Sequence, residues 1–219
     1  MIAKELISNE ILPLQLNDNC AQAMTMMSIY RLKDMPVVDE NGLVGMISEE
    51  VVSTTDPETL IEQTYISKSY VYVQETDHIF EVLNRLAQNN MTVVPVVDDN
   101  EKFLGIISQE DLIKFYANTF SFKEPGSIIV IESTRRGYSL SEVARIVELE
   151  SATVISSFVS SNEDSENILL TIKVNQQEIS NIISALERYD YNVSATFVED
   201  EYSDDLKDRY DMLMNYLNI

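Results

Sequence analysis

The chain has 219 residues, a hydrophobic content of 45% and a formal net charge of −22. No apolar run approaches the ~20 residues that a membrane span needs, and the start, MIAKELISNE, lacks the basic and then apolar layout of a signal peptide. The single cysteine, Cys20, excludes an internal disulfide and fits a reducing compartment. We therefore expect a cytoplasmic protein with two domains, the default number for this length.

Acidic residues outnumber basic residues in both parts of the chain, by 19 to 7 up to residue 120 and by 18 to 8 after it. Nucleic-acid binding requires clustered Lys and Arg side chains that neutralise phosphates. The composition therefore argues against a nucleic-acid partner. It argues less strongly against a polyphosphate ligand, because a local site can oppose the overall field.

The first 60 residues predict the element order β-α-β-β-α. The segment ILPLQ is a short extended stretch, and Asp18 can cap a helix from Asn19 to Leu32. The apolar face of this helix consists of Ala23, Met24 and Met27. MPVVD and LVGMIS predict two strands joined by a tight turn at NG, and EEVVST begins a second helix.

Residues 61–120 predict the same order again. YVYVQ alternates as a strand, and Asp77 can cap the next helix. The predicted apolar stripe of this helix has a 3.6-residue period and consists of Ile79, Phe80, Leu83, Leu86 and Ala87. TVVPVVDD and KFLGIIS predict two further strands, and DLIKFYANTF predicts the closing helix.

The two stretches are copies of one unit. PVVDENGLVGMISEE begins at Pro36 and returns as PVVDDNEKFLGIISQED at Pro95, 59 residues later. Repeated supersecondary units bury their cores against each other. The cleft between two such copies is a natural place for a small ligand.

The pattern changes after residue 120, where SFKEPG contains the Pro-Gly pair expected at a domain boundary. Residues 121–200 predict the order β-α-β-β-α-β, the ferredoxin-like arrangement. Ser139 and Glu142 fit a capping box on its first helix. Residues 201–219 predict a C-terminal amphipathic helix, whose apolar face consists of Leu206, Tyr210, Leu213 and Leu217.

The pattern P-V-V-D-x-N followed by G-h-h-S-x-x-D, where h is apolar, resembles the cystathionine-β-synthase (CBS) domain. Its two copies, about 1–60 and 61–120, resemble a paired Bateman module. Residues 126–200 are similar to an ACT domain, and the combination resembles the acetoin-utilisation regulatory proteins of bacteria. The resemblance implies a mixed α+β / α/β fold. It also implies an adenosine-containing ligand such as AMP in the CBS cleft, and an amino acid or simple dimerisation at the ACT-like domain.

In CBS pairs the Asp of G-h-h-S-x-x-D accepts the ribose hydroxyls of the ligand, and the Ser and the helix N-terminus meet a phosphate. The second copy has the full pattern, with Gly105, Ser108 and Asp111, whereas the first copy has Val51 in place of the Asp. A valine accepts no hydrogen bond, so we expect at most one ribose site. The alternative is that Ser108 and Asp111 only cap the helix.

The resemblance places the adenine against the first copy, with Lys33 as the nearest phosphate partner and Lys102 further away. One cation and one helix end suit a monophosphate or a nucleoside better than a triphosphate. The implied ligand-binding residues are Leu12, Leu32, Lys33, Ile106, Ser108 and Asp111.

A second candidate site lies in the first loop of the ACT-like domain. Arg136 and Gly137 precede a helix, and a glycine there lets backbone N–H groups approach a carboxylate. The usual ACT loop carries Asp-x-Pro-Gly, and this chain departs from it. The alternative is a solvated basic turn.

The sequence lacks a Cys/His cluster for zinc, a phosphate loop and a dinucleotide-binding fingerprint. The one histidine, His78, fits a surface position on a helix. We therefore predict no catalytic residue, no metal site and no enzymatic activity. The leading hypothesis is a regulatory sensor with an unknown protein target. The alternatives are a ligand-free structural or dimerisation module and a regulator of acetoin metabolism.

We also predict a homodimer. The last CBS helix carries Phe115, Tyr116 and Phe120, more aromatic area than one packed sheet needs. Paired modules of this kind commonly bury such helices against a two-fold mate. The alternative is that the C-terminal helix covers this surface within one chain.

Overall fold

A computed structural model describes residues 1–161 and 166–198. The chain divides into two compact units, Met1–Ala117 and a second unit that begins at Asn118. The predicted C-terminal helix at 201–219 lies outside the described residues. Among the described helices, none is both long enough and apolar enough to cross a bilayer.

The first unit contains the order β-α-β-β-α twice. The first copy consists of strand β1 (Leu14–Gln15), helix α1 (Cys20–Tyr30), strands β2 (Asp34–Asp39) and β3 (Gly42–Ser48), and helix α2 (Glu49–Thr54). Strand β1 pairs in parallel with β2, which pairs antiparallel with β3. The sheet order is therefore β1-β2-β3, and β3 is an edge strand.

The second copy repeats this arrangement. It consists of β4 (Val73–Gln74), α3 (Ile79–Gln88), β5 (Val93–Val97), β6 (Phe103–Ser108) and α4 (Gln109–Thr119). The sheet order is β4-β5-β6, with the same parallel and antiparallel pairs as in the first copy. All five residues of β5 are buried, as expected of a central strand covered on both faces. The predicted repeat of elements is confirmed.

The buried face of α3 differs from the predicted stripe. Ile79, Val82 and Leu86 are buried, whereas Phe80 and Leu83 are 60% and 44% exposed. Both sets follow helical spacing, and the face that packs on the sheet is the one that contains Val82. The stripe prediction was therefore wrong for Phe80, Leu83 and Ala87, which are exposed, and Phe80 and Leu83 leave apolar surface open to solvent.

The helix caps lie one residue later than predicted. Asn19 rather than Asp18 is the N-cap of α1, and His78 rather than Asp77 is the N-cap of α3. The carboxylates of Asp18 and Asp77 instead accept hydrogen bonds from the backbone amides three residues earlier, at 2.7 and 2.9 Å. These bonds close the turn between strand and helix, so the two aspartates are engaged before the helix begins.

The chain segment that leads into each copy packs against the other copy. The segment before the first copy, with a 3-10 turn at Ala3–Leu6, lies against the second copy, where the Ser8 amide donates to the Ile106 carbonyl at 2.8 Å. The linker between the copies lies against the first copy, where Met46 and Ser67 exchange two backbone hydrogen bonds of 3.0 and 2.8 Å. We call these two pieces the crossing segments.

The glycine repeated in each copy marks the place where a crossing segment passes. A Cβ atom on Gly45 would overlap the backbone carbonyl of Ser67. A Cβ atom on Gly105 would overlap the side chain of Ile7. Glycine is therefore required at both positions because the passing chain takes up the space of a side chain.

We expect Gly45→Ala to destabilise the first unit more than Gly105→Ala. Overpacking costs about 1–3 kcal/mol, and the Ser67 carbonyl is fixed by the backbone whereas the Ile7 side chain can rotate. Urea denaturation would measure both free energies of unfolding. Adding Ile7→Ala to Gly105→Ala should recover much of the loss, and equal losses for the two glycine variants would contradict the packing assignment.

The second unit has the order β-α-β-β-α-β. Its elements are β7 (Ser127–Thr134), α5 (Leu140–Leu149), β8 (Val154–Ser161), β9 (Asn167–Val174), α6 (Ser180–Arg188) and β10 (Asn192–Val198). The sheet is antiparallel throughout, in the order β10-β7-β9-β8. Residues from α5, α6 and the inward side of the sheet form its core, among them Ile129, Ile131, Val143, Ile146, Leu170, Ile172, Ile182 and Leu186.

The predicted capping box on α5 forms only in half. The Ser139 hydroxyl accepts from the Glu142 amide at 3.3 Å, as expected of an N-cap. The Glu142 carboxylate does not reach back to Ser139 but accepts from the Tyr191 hydroxyl at 3.0 Å. Burial and this hydrogen bond raise the pKa of the Tyr191 phenol to about 12. The carboxylate therefore ties α5 to the chain that enters β10.

Candidate functional site

The predicted ribose acceptor lies where β6 ends and α4 begins. The Ser108 hydroxyl donates to Asp111 Oδ2 at 2.6 Å and accepts from the Asp111 amide at 3.0 Å, and the Ser108 amide donates to the same Oδ2 at 3.2 Å. This reciprocal arrangement is a helix cap, the alternative weighed from the sequence. It occupies the Ser108 hydroxyl and one carboxylate oxygen. Among the described residues, no hydrogen bond reaches the other oxygen, Oδ1.

The first copy has the cap without the carboxylate. The Ser48 hydroxyl accepts from the Val51 amide at 3.4 Å, and the valine side chain adds no acceptor. Both copies therefore have the serine cap, and only the second copy has a carboxylate beside it.

A cavity of about 370 Å³ lies beside Asp111. One side is formed by residues 5–10 of the first crossing segment, and the other by Asp111, Lys114 and Phe115 of α4. The volume falls within the roughly 300–1,000 Å³ of small-molecule sites. The cavity thus brings together chain from before the first copy and a helix of the second copy.

The charges at this cavity are mixed. Lys114 Nζ pairs with Glu110 Oε1 at 2.7 Å, and this contact raises the pKa of the lysine and lowers that of the carboxyl. Arg31, at the end of α1, also lowers the pKa of Glu110 and is therefore a second cation nearby. Glu10 lines the cavity as well. In residues 1–161 and 166–198, no three His, Cys, Asp or Glu side chains form a group that could hold a metal ion.

Lys114 and the first crossing segment line the cavity but were not predicted from the sequence. Lys114 follows Asp111 by three residues, a spacing that places both on one helix face. The crossing segments carry a weaker signal, because Ser8 and Ser67 keep the 59-residue spacing of the repeat.

The other predicted residues do not line the cavity. Ile106 and Leu32 are buried, with 0% and 4% exposure, and Leu12 is 65% exposed. Lys33 lies where the two copies meet, and its amide donates to the Thr92 hydroxyl at 2.9 Å. Of the six residues implied by the resemblance, Asp111 is the one that faces this cavity.

The loop with Arg136 and Gly137 shows little room for an anion at its backbone. The Gly137 amide donates to the Thr134 hydroxyl at 3.0 Å and to the Thr134 carbonyl at 3.1 Å. Arg135 Nη2 donates to the Ser161 hydroxyl at 3.1 Å, and Arg136 is exposed. This is the arrangement expected of a solvated basic turn.

The sequence profile of the CBS domain matches residues 3–52 and 61–118, one match for each copy in the first unit. The first unit is a tandem pair of CBS domains. The CBS prediction is therefore confirmed, and the cavity beside Asp111 belongs to the second of the two domains.

Each of three similar proteins matches about half of this chain. Inosine-5'-monophosphate dehydrogenase of Methanocaldococcus jannaschii is 28% identical over 113 residues, 51% of this chain and 23% of that enzyme. A crystal structure of a CBS domain pair/ACT domain protein from Thermotoga maritima has a TM-score of 0.47 at 19% identity and covers 52% of this chain and 94% of that one. CBSX2 in complex with AMP has a TM-score of 0.42 at 16% identity, with 52% and 93% coverage.

Proposed function

We propose that the CBS pair is a non-enzymatic regulatory sensor, and that it binds one adenosine-containing ligand beside Asp111. The observation that carries this proposal is that Asp111 lines a cavity and that its Oδ1 accepts no hydrogen bond among the described residues. The first copy has Val51 at the equivalent position, and a valine side chain supplies no acceptor. CBS pairs commonly bind adenosine ligands in regulatory roles, which supports the choice of ligand.

The cap with Ser108 prepares Asp111 for this role. Two hydrogen bonds hold Oδ2 and so fix the plane of the carboxylate. A fixed carboxylate loses little conformational freedom when its second oxygen accepts the ribose hydroxyls. Ser108 thus acts through Asp111, and its own hydroxyl does not contact the ligand. The Phe115 ring offers an apolar surface to a base, and Lys114 is the cation within reach of a phosphate.

A ligand in this cavity would contact both the crossing segment and α4. A ligand shifts a conformational equilibrium by as much as its affinity differs between the states. Any change in how residues 5–10 lie against the second domain would therefore be linked to ligand binding. We propose that a partner protein responds to this change.

We further propose that residues 121–200 form an ACT-like domain, with domain limits at 1–120, 121–200 and 201–219. The order β-α-β-β-α-β and the sheet order β10-β7-β9-β8 support the ferredoxin-like assignment. The engaged Gly137 amide favours dimerisation over amino-acid binding as the role of this domain. A link to acetoin metabolism rests on domain order alone and stays a prediction, as does a cytoplasmic location.

Asp111→Ala should weaken the binding of AMP or adenosine by about 1.5–3 kcal/mol, the range for a hydrogen bond to a charged group. Isothermal titration calorimetry would measure the loss. Because Asp111 also caps α4, Ser108→Ala is the matched control. It removes the cap hydroxyl and keeps the carboxylate, so it should lower stability more than affinity. An Asp111→Ala protein that binds AMP as tightly as the parent would overturn the assignment.

AMP or adenosine should bind more tightly than ATP in the absence of metal. ATP carries more negative charge than AMP, and Glu5 and Glu10 line the same cavity. Each added negative charge about 4 Å from a carboxylate costs ~1 kcal/mol even in water. A thermal-shift series with the three ligands would rank them, since a ligand raises the stability of the folded state that it binds. A larger shift with ATP would contradict this ranking. No shift with any of the three would favour the ligand-free structural alternative.

We expect a homodimer in solution. Phe80, Leu83 and Ile113 leave apolar surface on α3 and α4, with exposures of 60%, 44% and 68%, and a two-fold contact would make such a surface self-complementary. Light scattering at micromolar concentration should give twice the 25.0 kDa chain mass. A double change of Phe80 and Ile113 to Glu should lower this mass to that of one chain. A parent protein that already has the mass of one chain would exclude the dimer.

A further inference from the structure

A second cavity, of about 440 Å³, lies at the turn between β4 and α3 of the second CBS domain. Its lining residues are Tyr70, Val71, Tyr72, Gln74, Asp77 and Arg85. It shares no lining residue with the cavity beside Asp111. The proposed nucleoside site therefore leaves this second cavity unexplained.

The turn at its base is common to both domains. Gln15 and Asp18 stand 59 residues before Gln74 and Asp77, and in each pair the aspartate carboxylate accepts the glutamine amide. The turn is thus part of the CBS fold. Its presence alone would not indicate a ligand.

The residues around the turn differ between the domains. Where the second domain has Tyr70, Tyr72 and Arg85, the first domain has Ile11, Pro13 and Met26. The turn forms with either set, so the fold does not require two tyrosines and an arginine at these positions. They give the second domain a polar, aromatic cavity that the first domain lacks the side chains to build.

Three polar groups at this cavity have no partner among the described residues. Gln74 Oε1 is buried and accepts no hydrogen bond. The Arg85 guanidinium forms no ion pair, although Arg85 is a full positive charge on an exposed face of α3. Asp77 uses Oδ2 in the turn, and no described donor reaches its Oδ1. The Arg85 guanidinium and Asp77 Oδ1 are therefore one donor group and one acceptor that a ligand in this cavity could engage.

The two tyrosine rings are held in place at their hydroxyls. Tyr70 donates to the Leu43 carbonyl and Tyr72 donates to Glu101 Oε1, both at 3.4 Å. The ring centroids are 6.2 Å apart and the planes are tilted by 55°. The rings therefore present an apolar wall beside the polar groups of the turn.

We propose that this cavity binds a free α-amino acid. Arg85 would hold the α-carboxylate through paired N–H bonds, the geometry in which guanidinium and carboxylate match. Asp77 Oδ1 would accept a hydrogen bond from the α-ammonium group. The rings of Tyr70 and Tyr72 would contact the side chain, which favours an apolar or aromatic amino acid.

The charges select a zwitterion over other small ligands. The lining carries one positive charge, on Arg85, and one negative charge, on Asp77, so a bare anion or a bare cation meets repulsion as well as attraction. Both charges belong to residues that line the cavity, so the carboxylate and the ammonium group of one amino acid can each meet the opposite charge.

Saturation-transfer NMR with each proteinogenic L-amino acid, at millimolar concentration, would test the proposal on the full chain. We expect binding of at least one apolar or aromatic amino acid. We expect no binding of its amide or its N-acetyl derivative, each of which removes one of the two charges. Failure of every amino acid to bind, or equal binding of the derivatives, would overturn the proposal.

The test variants replace residues of this cavity by the residues at the equivalent positions of the first domain. Arg85→Met should weaken the amino acid by at least about tenfold, a change of roughly 1.4 kcal/mol, and Tyr70→Ile should weaken it as well. Arg85 is exposed, so Arg85→Met should keep the parent melting temperature, whereas Tyr70→Ile also loses the hydrogen bond to the Leu43 carbonyl. Asp111→Ala is the control that separates the two sites, since it should leave amino-acid binding unchanged. Binding that is lost with Asp111→Ala, or kept in full with Arg85→Met, would contradict a site at this cavity.

Discussion

The first unit depends on the backbone hydrogen bonds between each crossing segment and the outer strand of the other domain. In each three-stranded sheet the last strand, β3 or β6, is an edge strand with unpaired backbone groups. The crossing segments meet these edges at Met46 and at Ile106. Each domain therefore completes its sheet with chain that precedes its partner. Gly45 and Gly105 leave the space through which this chain passes. The pair consequently folds as one unit, and the cavity beside Asp111 exists because a crossing segment forms one of its sides.

The repeated pattern in the sequence was enough to predict the order of elements in both CBS domains, because its turns and apolar runs recur with one spacing. It was not enough to locate helix ends. Adjacent polar residues such as Asp18 and Asn19 are both good caps, and a hydrogen bond to the preceding strand decides between them. The repeated pattern also did not show which of two overlapping apolar stripes on α3 is the buried one. That choice depends on which stripe meets the sheet, a contact between residues distant in sequence.

The contrast between Asp111 and Val51 was visible in the sequence, and it led to the prediction of a ligand site at the end of β6. The surroundings of Asp111 were not visible. Residues 5–10 come close to Asp111 only after the chain has crossed to the other domain. The salt bridge from Lys4 to Glu75, 71 residues away at 2.6 Å, shows the same long-range contact. A short motif indicates local geometry only. It could not predict this cavity, because the two sides of the cavity are about a hundred residues apart in the sequence.

The hydrogen bond where the two domains meet forms in one direction only, from the first domain to the second. At equivalent positions of the repeat the first domain has Lys33 and the second has Thr92, and the Lys33 amide donates to the Thr92 hydroxyl at 2.9 Å. A lysine side chain has no acceptor, so the reciprocal bond cannot form and the two-fold relation between the domains is broken at its centre. The two repeats therefore differ at this contact. Two copies of the first half joined in tandem would lack this bond, because a lysine would then stand at both positions and no hydroxyl would be present to accept it.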